Sequence, residues 1–190
     1  MFRWPDDSTY EGSLVDSKIH GYGTYCWSNE GRVYAGNWQK NRMHGQGNLE
    51  YQDGRTYRGS FVKGKKQGNG CFEWPDGRRY RGNYLQDMKH GYGIFEWPDG
   101  RKYIGSWDKG KQDGQGVFIT ANGNRREGEW SAGKLLHWLV SMEVEENFED
   151  GMAAAEESLE GQQPRILVNA LNISSASVSI DGARHRKEGA

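Results

Sequence analysis

The feature that most limits the fold of this chain is a tyrosine that recurs with a glycine two residues after it. Successive tyrosines lie 24, 23, 23 and 23 residues apart, and Arg126-Glu127-Gly128 follows after another 23. The pairs are Tyr10/Gly12, Tyr34/Gly36, Tyr57/Gly59, Tyr80/Gly82 and Tyr103/Gly105. A fixed period in the twenties indicates an array of structural repeats, in which each unit packs on its neighbours.

Each unit contains two short alternating runs that are typical of β-strands. In one unit the runs are YRGNY, starting at Tyr80, and GYGIFEW, starting at Gly91. The polar link LQDMKH separates them, and WPDGR closes the unit. Alternation bounded by Gly, Pro and Asp predicts a β-hairpin followed by a turn into the next hairpin.

Because side chains alternate across a strand, the residues of each hairpin divide into two faces. One face receives aromatic residues and glycines, such as Tyr57, Gly59 and Phe61. The opposite face receives mostly polar residues, such as Arg58 and Ser60, and we expect it to be solvated.

The recurring pattern YxGxW, then (K/H)GxG, then an aromatic strand closed by DGxxY, resembles the MORN repeat (membrane occupation and recognition nexus). The resemblance covers residues 2–133, or about six units. It implies an all-β repeat array, an elongated single-layer antiparallel sheet of consecutive hairpins. MORN arrays occur in plant phosphatidylinositol phosphate kinases, junctophilins, radial spoke head proteins and apicomplexan scaffolds, so the repeat indicates architecture better than role.

The chain divides into an array over residues 1–133, an acidic amphipathic α-helix over 134–160 and a mostly disordered, flexible tail over 161–190. No second strand is expected after Trp130, and the last unit is interpreted as a C-terminal cap. Residues 1–138 carry a net charge of +5, whereas 139–190 carry −6. The predicted helix therefore has two alternatives, either folding back on the basic array or binding elsewhere.

A single sheet cannot bury an aromatic face within itself, and a row of a dozen large rings exceeds the apolar area that monomers usually expose. The array's own curvature, the C-terminal segment, a second copy or a partner helix are the alternatives that cover it. In the competing interpretation the aromatic residues are only the array's internal core. The predicted partner-binding residues are Tyr34, Trp38, Tyr51, Tyr57, Phe61, Phe72, Trp74, Tyr80, Tyr84, Phe95, Trp97, Tyr103 and Trp107.

Basic residues in the links and turns raise the possibility of contact with anionic phospholipids. Rows of cations along the edges of the sheet would attract phosphoinositide head groups, whereas interspersed aspartates weaken that field. The alternative is that these are ordinary solvated turn residues. The predicted lipid-binding residues are Lys65, Lys66, Arg78, Arg79, Arg101 and Lys102.

Motifs that carry enzymatic chemistry are not found, since the sequence has no P-loop, nucleophile elbow or HExxH. We therefore expect no enzymatic activity and no cofactor. His20, His44 and His90 occupy equivalent positions in different units, about 10 Å apart per repeat, which is too far for one metal ion. Cys26 and Cys71 lie about two repeats apart and are interpreted as reduced thiols.

The remaining expectations concern location and role. No apolar run is long enough for a transmembrane segment, the first residues do not resemble a signal peptide, and no nucleic-acid-binding footprint is present, so a cytoplasmic protein is predicted. The predicted function is a non-enzymatic scaffold or adaptor that binds protein partners, or itself, at cytoskeletal, axonemal or membrane-associated assemblies. The alternatives are a peripheral phosphoinositide-binding module and the regulatory MORN segment of a phosphatidylinositol phosphate kinase.

Overall fold

The computed structural model describes residues 1–139, which form one antiparallel sheet of thirteen strands. Each strand pairs with the next in chain order, so the predicted array of consecutive hairpins in a single sheet is confirmed. Within residues 1–139 no helix has the length and apolarity that a membrane span requires. The strands are β1 (Phe2–Arg3), β2 (Thr9–Val15), β3 (Lys18–Trp27), β4 (Arg32–Gln39), β5 (Arg42–Glu50), β6 (Thr56–Val62), β7 (Lys65–Glu73), β8 (Arg79–Leu85), β9 (Met88–Glu96), β10 (Lys102–Asp108), β11 (Lys111–Ile119), β12 (Arg125–Ser131) and β13 (Lys134–Trp138).

The two strands of each hairpin are joined by a two-residue turn in which both residues have positive φ. At Lys63-Gly64, between β6 and β7, the angles are 51° and 86°, and at Lys109-Gly110 they are 47° and 83°. Turns of this kind match the twist of the flanking strands and favour glycine. They set where each hairpin reverses.

Neighbouring hairpins are joined by a longer turn, which has the sequence Trp-Pro-Asp-Gly at residues 74–77 and 97–100. The Trp74 N–H donates to the Arg78 carbonyl (2.9 Å), and the Gly77 N–H donates to the Trp74 carbonyl (3.0 Å). The Asp76 carboxylate accepts the backbone N–H of Arg78 (3.1 Å). The proline, aspartate and glycine of the motif therefore have the roles that turn chemistry assigns to them.

The end of the array differs from the prediction. Residues Lys134–Trp138 form β13, which pairs with β12 through contacts such as Trp130↔Leu135. The expectations that the last unit lacks a second strand and that a helix begins at residue 134 are therefore wrong. Pairing satisfies backbone N–H and C=O groups that β12 would otherwise leave at an open edge. The rest of the predicted helix and the predicted tail lie outside the described residues.

The face opposite the aromatic residues is not uniformly polar. Ile94, Ile104 and Ile119 are buried there and form a second apolar cluster with Val117. Ile94 lies opposite Ile104, and Ile104 lies opposite Val117, in adjacent strands. Lateral contact between β-branched side chains on a pleated surface explains this cluster.

Candidate functional site: the aromatic face

Five tyrosines on the aromatic face each lie flat on a pair of glycines from adjacent strands. Tyr57 covers Gly59 and Gly70, which are opposite each other in β6 and β7. A Cβ atom added at Gly70 would lie 2.4 Å from the Tyr57 hydroxyl oxygen, closer than non-bonded atoms approach. The glycines therefore leave room for the ring. The five tyrosines, each with a relative exposure of 0%, are Tyr10, Tyr34, Tyr57, Tyr80 and Tyr103.

The hydroxyl group of each tyrosine is fixed by the backbone of its own strand. The Tyr57 hydroxyl donates to the Ser60 carbonyl at 3.1 Å, where the register between β6 and β7 shifts after Gly59. The same bond recurs in the other four units. Burial raises the pKa of the Tyr57 hydroxyl, so it stays protonated as a donor. Each tyrosine thus holds the irregularity that bends its strand.

These tyrosines alternate with a second aromatic residue from the first strand of each hairpin in a continuous column, which we call the inner column. Tyr57 packs edge-on against Phe61 (centroids 5.1 Å apart) and Tyr84 (5.2 Å), and Tyr80 continues the column to Trp107 (5.2 Å). Edge-to-face contacts are the favoured geometry of aromatic pairs. The inner column is the core of the array. Its members are Tyr10, Tyr34, Trp38, Tyr57, Phe61, Tyr80, Tyr84, Tyr103, Trp107 and Trp130.

A second set of aromatic residues lies at the end of the second strand in four consecutive hairpins, and we call it the rim. These rings are only partly buried, and they contact the core on one side. Trp74 lies 4.5 Å from Phe72 and 5.7 Å from Phe95, measured between ring centroids. The rim repeats once per unit, about every 10 Å, which is the width of two strands. Its members are Trp27, Tyr51, Trp74 and Trp97.

An arginine from the closing turn stacks on each ring of the rim. The Arg78 guanidinium lies 5.3 Å from the Trp74 centroid, and its Nη2 atom lies 2.8 Å from the Asp76 carboxylate. The same arrangement places Arg32, Arg55 and Arg101 over Trp27, Tyr51 and Trp97, at 4.2, 4.9 and 5.5 Å, each paired with an acidic residue of its turn. The rim is therefore a row of ordered aromatic rings. Each ring is covered by an arginine, and an acidic residue of the same turn balances the charge of that arginine.

The first unit leaves the aromatic face open. A cavity of about 550 Å³ lies there between the first strand and the first two full units. Trp4 and Phe2 stand at its edge with exposed fractions of 37% and 47%. The residues that line it are Phe2, Arg3, Trp4, Leu14, Ser17, Ile19, Tyr25, Trp27, Trp38 and Asn41.

The predicted partner-binding residues divide between the core and the rim. Tyr51, Trp74 and Trp97 are partly exposed on the rim. The others are buried, so the array packs most of the aromatic row against itself, and direct contact with a partner stays a prediction for them. These buried residues are Tyr34, Trp38, Tyr57, Phe61, Phe72, Tyr80, Tyr84, Phe95, Tyr103 and Trp107.

The predicted lipid-binding residues do not converge on one surface. Arg78 and Arg101 stack on rim tryptophans. Lys65, Arg79 and Lys102 alternate with residues of the aromatic face, which places their side chains on the opposite face. There Glu96 lies 3.8 Å from Arg79 and 3.0 Å from Lys102. Lys66 points among the aromatic rings.

Sequence reasoning overlooked some members of the aromatic face. Trp4 and Trp27 belong to the first, irregular units, and Trp138 belongs to β13. Lys89 was also overlooked as a site residue, although it occupies the position of Lys66 one repeat later. A strict comparison of equivalent positions along the repeats finds Trp4, Trp27 and Lys89. It does not find Trp138, which aligns with Gln115 and reaches the aromatic face only because β13 pairs with Gly128 in a shifted register.

The fold and its aromatic face define a repeat array that presents a regular aromatic surface. The family model of the MORN repeat matches residues 10–32, 34–54, 57–78, 80–100 and 103–125, which is more than half of the chain. The chain belongs to the MORN repeat family. Among curated protein sequences, none shows a significant match to this chain.

Several solved structures show a distant likeness in fold. One is the Drosophila melanogaster SAS-4 (dCPAP) TCP domain in complex with a proline-rich motif of Ana2 (dSTIL), with a TM-score of 0.43, 12% identity, and 65% of this chain and 66% of that chain covered. Another is the Danio rerio CPAP TCP10 domain with a STIL peptide, with a TM-score of 0.32, 14% identity, and coverage of 68% and 64%. The chain thus spans slightly less than two thirds of these domains.

Proposed function

We propose that this chain is a non-enzymatic scaffold whose rim binds a helix or an extended segment of a partner protein. The observation that carries the proposal is the row of partly exposed rings, Trp27, Tyr51, Trp74 and Trp97, each held from one side by the core and from above by an arginine. Tryptophan, tyrosine and arginine are the residues that most often dominate binding energy at protein interfaces.

The rings of the rim are already held in place in the free protein, and this supports the proposal. A ring that is already fixed by neighbours loses little side-chain entropy when a partner covers it, which favours binding. The regular spacing of about 10 Å lets one partner segment contact several rings in succession. The cavity beside Trp4 extends the same surface at the first unit.

Cytoplasmic action at a cytoskeletal, axonemal or membrane-associated assembly is part of the same proposal, and self-association is its variant in which the partner is a second copy. The phosphoinositide-binding alternative receives less support. Within residues 1–139 the cations lie on two faces, and several are paired with carboxylates, so this part of the chain gives a membrane surface no single positive patch to contact.

The test uses substitutions that the array already contains elsewhere. Thr120 occupies the rim position in its unit, because its N–H donates to the Asn124 carbonyl as the Trp97 N–H donates to Arg101. A variant with Trp74→Thr and Trp97→Thr therefore removes two rim rings within a pattern that the fold tolerates. The matched control, Tyr22→Gln with Tyr92→Gln, removes two exposed rings from the opposite face and copies Gln46 and Gln115.

Affinity capture from native lysate would compare the full chain, the rim variant and the control. We expect the rim variant to lose specific partners that the full chain and the control both retain. Circular dichroism spectra and melting curves would show that all three are folded. Equal capture by the rim variant and the full chain, with both folded, would refute the rim as the binding surface.

A further inference from the structure

One position on the aromatic face changes from apolar to positively charged side chains along the array. It is the second residue of the second strand of each hairpin, and it points toward the rings of its own and neighbouring units. Ile19 and Met43 pack there with the core in the first units. In the middle of the array the same position holds Lys66 and Lys89, so two cations replace two apolar side chains.

Both lysine ammonium groups lie among aromatic rings. The ring centroids nearest to the Lys89 Nζ atom, at 4.2, 4.7, 5.3 and 5.9 Å, are those of Trp107, Phe95, Tyr80 and Trp74. Those nearest to the Lys66 Nζ atom, at 5.0, 5.4, 5.9 and 5.9 Å, are those of Phe72, Tyr57, Tyr51 and Tyr84. Contact with ring faces stabilises a cation in part.

Neither ammonium group has an ion-pair partner within residues 1–139, although most arginines of the array do. Asp87 accepts the backbone N–H of Lys66 (2.9 Å). Burial lowers the pKa of Lys66, and the charge of Asp87 offsets only part of that effect. An ammonium group has three N–H donors, and aromatic rings offer them no carboxylate oxygen. Burial, with a smaller effect from Arg78, lowers the pKa of Lys89 to about 8, which reflects a charge lacking full compensation.

The backbone of both lysines is held by the turn of the following hairpin. The Asp87 N–H donates to the Lys66 carbonyl (3.1 Å), and the Gly110 N–H donates to the Lys89 carbonyl (2.9 Å). The two positions are one repeat apart, which is about 10 Å across two strand spacings. They therefore form a pair of cations at a defined separation.

We propose that Lys66 and Lys89 bind two carboxylates of an acidic, partly apolar helix from a partner protein, with the carboxylates about one repeat apart. The inference rests on the proposed function and specifies its partner. Two residues seven positions apart on a helix lie on one face and are separated by about 10.5 Å, which matches the repeat. The apolar positions between them would meet Trp74, which contributes a ring near Lys89.

The test measures binding of synthetic helical peptides to the full chain by fluorescence anisotropy. The first peptide carries two glutamates seven residues apart on a leucine-bearing face. The second has glutamine in both places, and the third has the glutamates four residues apart. Lys66→Met with Lys89→Met removes both charges and copies Met43, whereas Lys18→Met with Lys111→Met removes two exposed charges, copies Met88 and serves as the control.

We expect the full chain and the control to bind the first peptide about tenfold more tightly, or more, than the other two, in a manner that weakens with added salt. The Lys66→Met/Lys89→Met variant should lose that preference. If the glutamate and glutamine peptides bind equally well, and Trp74→Thr/Trp97→Thr weakens the binding of both, the lysine inference is wrong and the rim proposal stands. A lack of binding by all three peptides would also overturn the lysine inference. The rim proposal would then be tested separately by the capture of partners.

Discussion

Replacing Gly70 with alanine tests the role of the glycine pairs under the tyrosines. The new Cβ would lie 2.4 to 2.6 Å from the Oη, Cε2 and Cζ atoms of Tyr57, where carbon atoms normally stay about 3.5 Å or more apart. The Tyr57 ring has 0% exposure and is enclosed by Phe61 and Tyr84. It cannot move without repacking the inner column and lengthening its bond to Ser60. Overpacking costs about 1–3 kcal/mol and the weakened hydrogen bond about 1, so we expect a loss of about 2–4 kcal/mol.

Gly64→Ala is the matched control because it isolates the backbone effect. Gly64 has φ of +86° and nothing within 4 Å of its added Cβ, so only the cost of a left-handed residue applies, about 1 kcal/mol. Gly70 has the opposite combination, with a steric conflict but no left-handed φ. Urea unfolding followed by circular dichroism would measure both variants. A free energy of unfolding for Gly70→Ala equal to that of the native chain, or a larger loss for Gly64→Ala, would contradict this reasoning.

Two further predictions concern single side chains. Tyr80→Phe should lower the free energy of unfolding by about 1 kcal/mol, because the hydroxyl that donates to the Asn83 carbonyl at 3.0 Å is lost; an unchanged urea midpoint would contradict this. Burial lowers the pKa of Lys89 from its usual 10.5 to about 8, so between these values the unfolded chain binds more protons than the folded chain. The native protein should therefore gain stability relative to Lys89→Met as the pH rises through that window, by up to about 3 kcal/mol. Parallel curves of unfolding free energy against pH would contradict that prediction.

The repeat pattern was enough to predict most of the fold. The period of 23 predicted hairpins that follow one another, and the alternation of Tyr57, Gly59 and Phe61 placed them on one face, as the structure has them. Local turn chemistry and alternation are encoded within a few residues, so a single sequence is sufficient to read them.

The last strand shows where the spacing of apolar residues led to a wrong prediction. Leu135 and Trp138 lie three residues apart, which favoured a helix, yet Ser131-Ala132-Gly133-Lys134 repeats the hairpin turn of Asp108-Lys109-Gly110-Lys111. Ala132 and Gly133 have φ of 49° and 86°, the same conformation as that turn. This turn returns the chain alongside β12, where Trp138 packs on Phe118 and Trp130, and those contacts outweigh the helical pattern.

The division of the aromatic face into a core and a rim was also beyond sequence reasoning. Trp107 and Trp97 are the same residue type on the same face, yet Trp107 has 6% exposure and Trp97 is partly exposed. The difference arises from lateral packing between units, because Trp107 lies between the tyrosines of two hairpins. Contacts of this kind join residues more than twenty positions apart, and alternation within one strand does not reveal them.

The indole N–H groups of tryptophan provide the most direct test of whether the rim and the lysine pair form the binding surface. In the core, the Trp38 and Trp107 indoles donate to the Gly23 and Gly93 carbonyls, at 3.0 and 3.3 Å. The measurement is a nuclear magnetic resonance titration of the ¹⁵N-tryptophan-labelled full chain with the peptide that carries glutamates seven residues apart. The account predicts that the Trp74 and Trp97 signals shift progressively while Trp38 stays unchanged. Shifts confined to Trp38, or no shift in any indole signal, would contradict it.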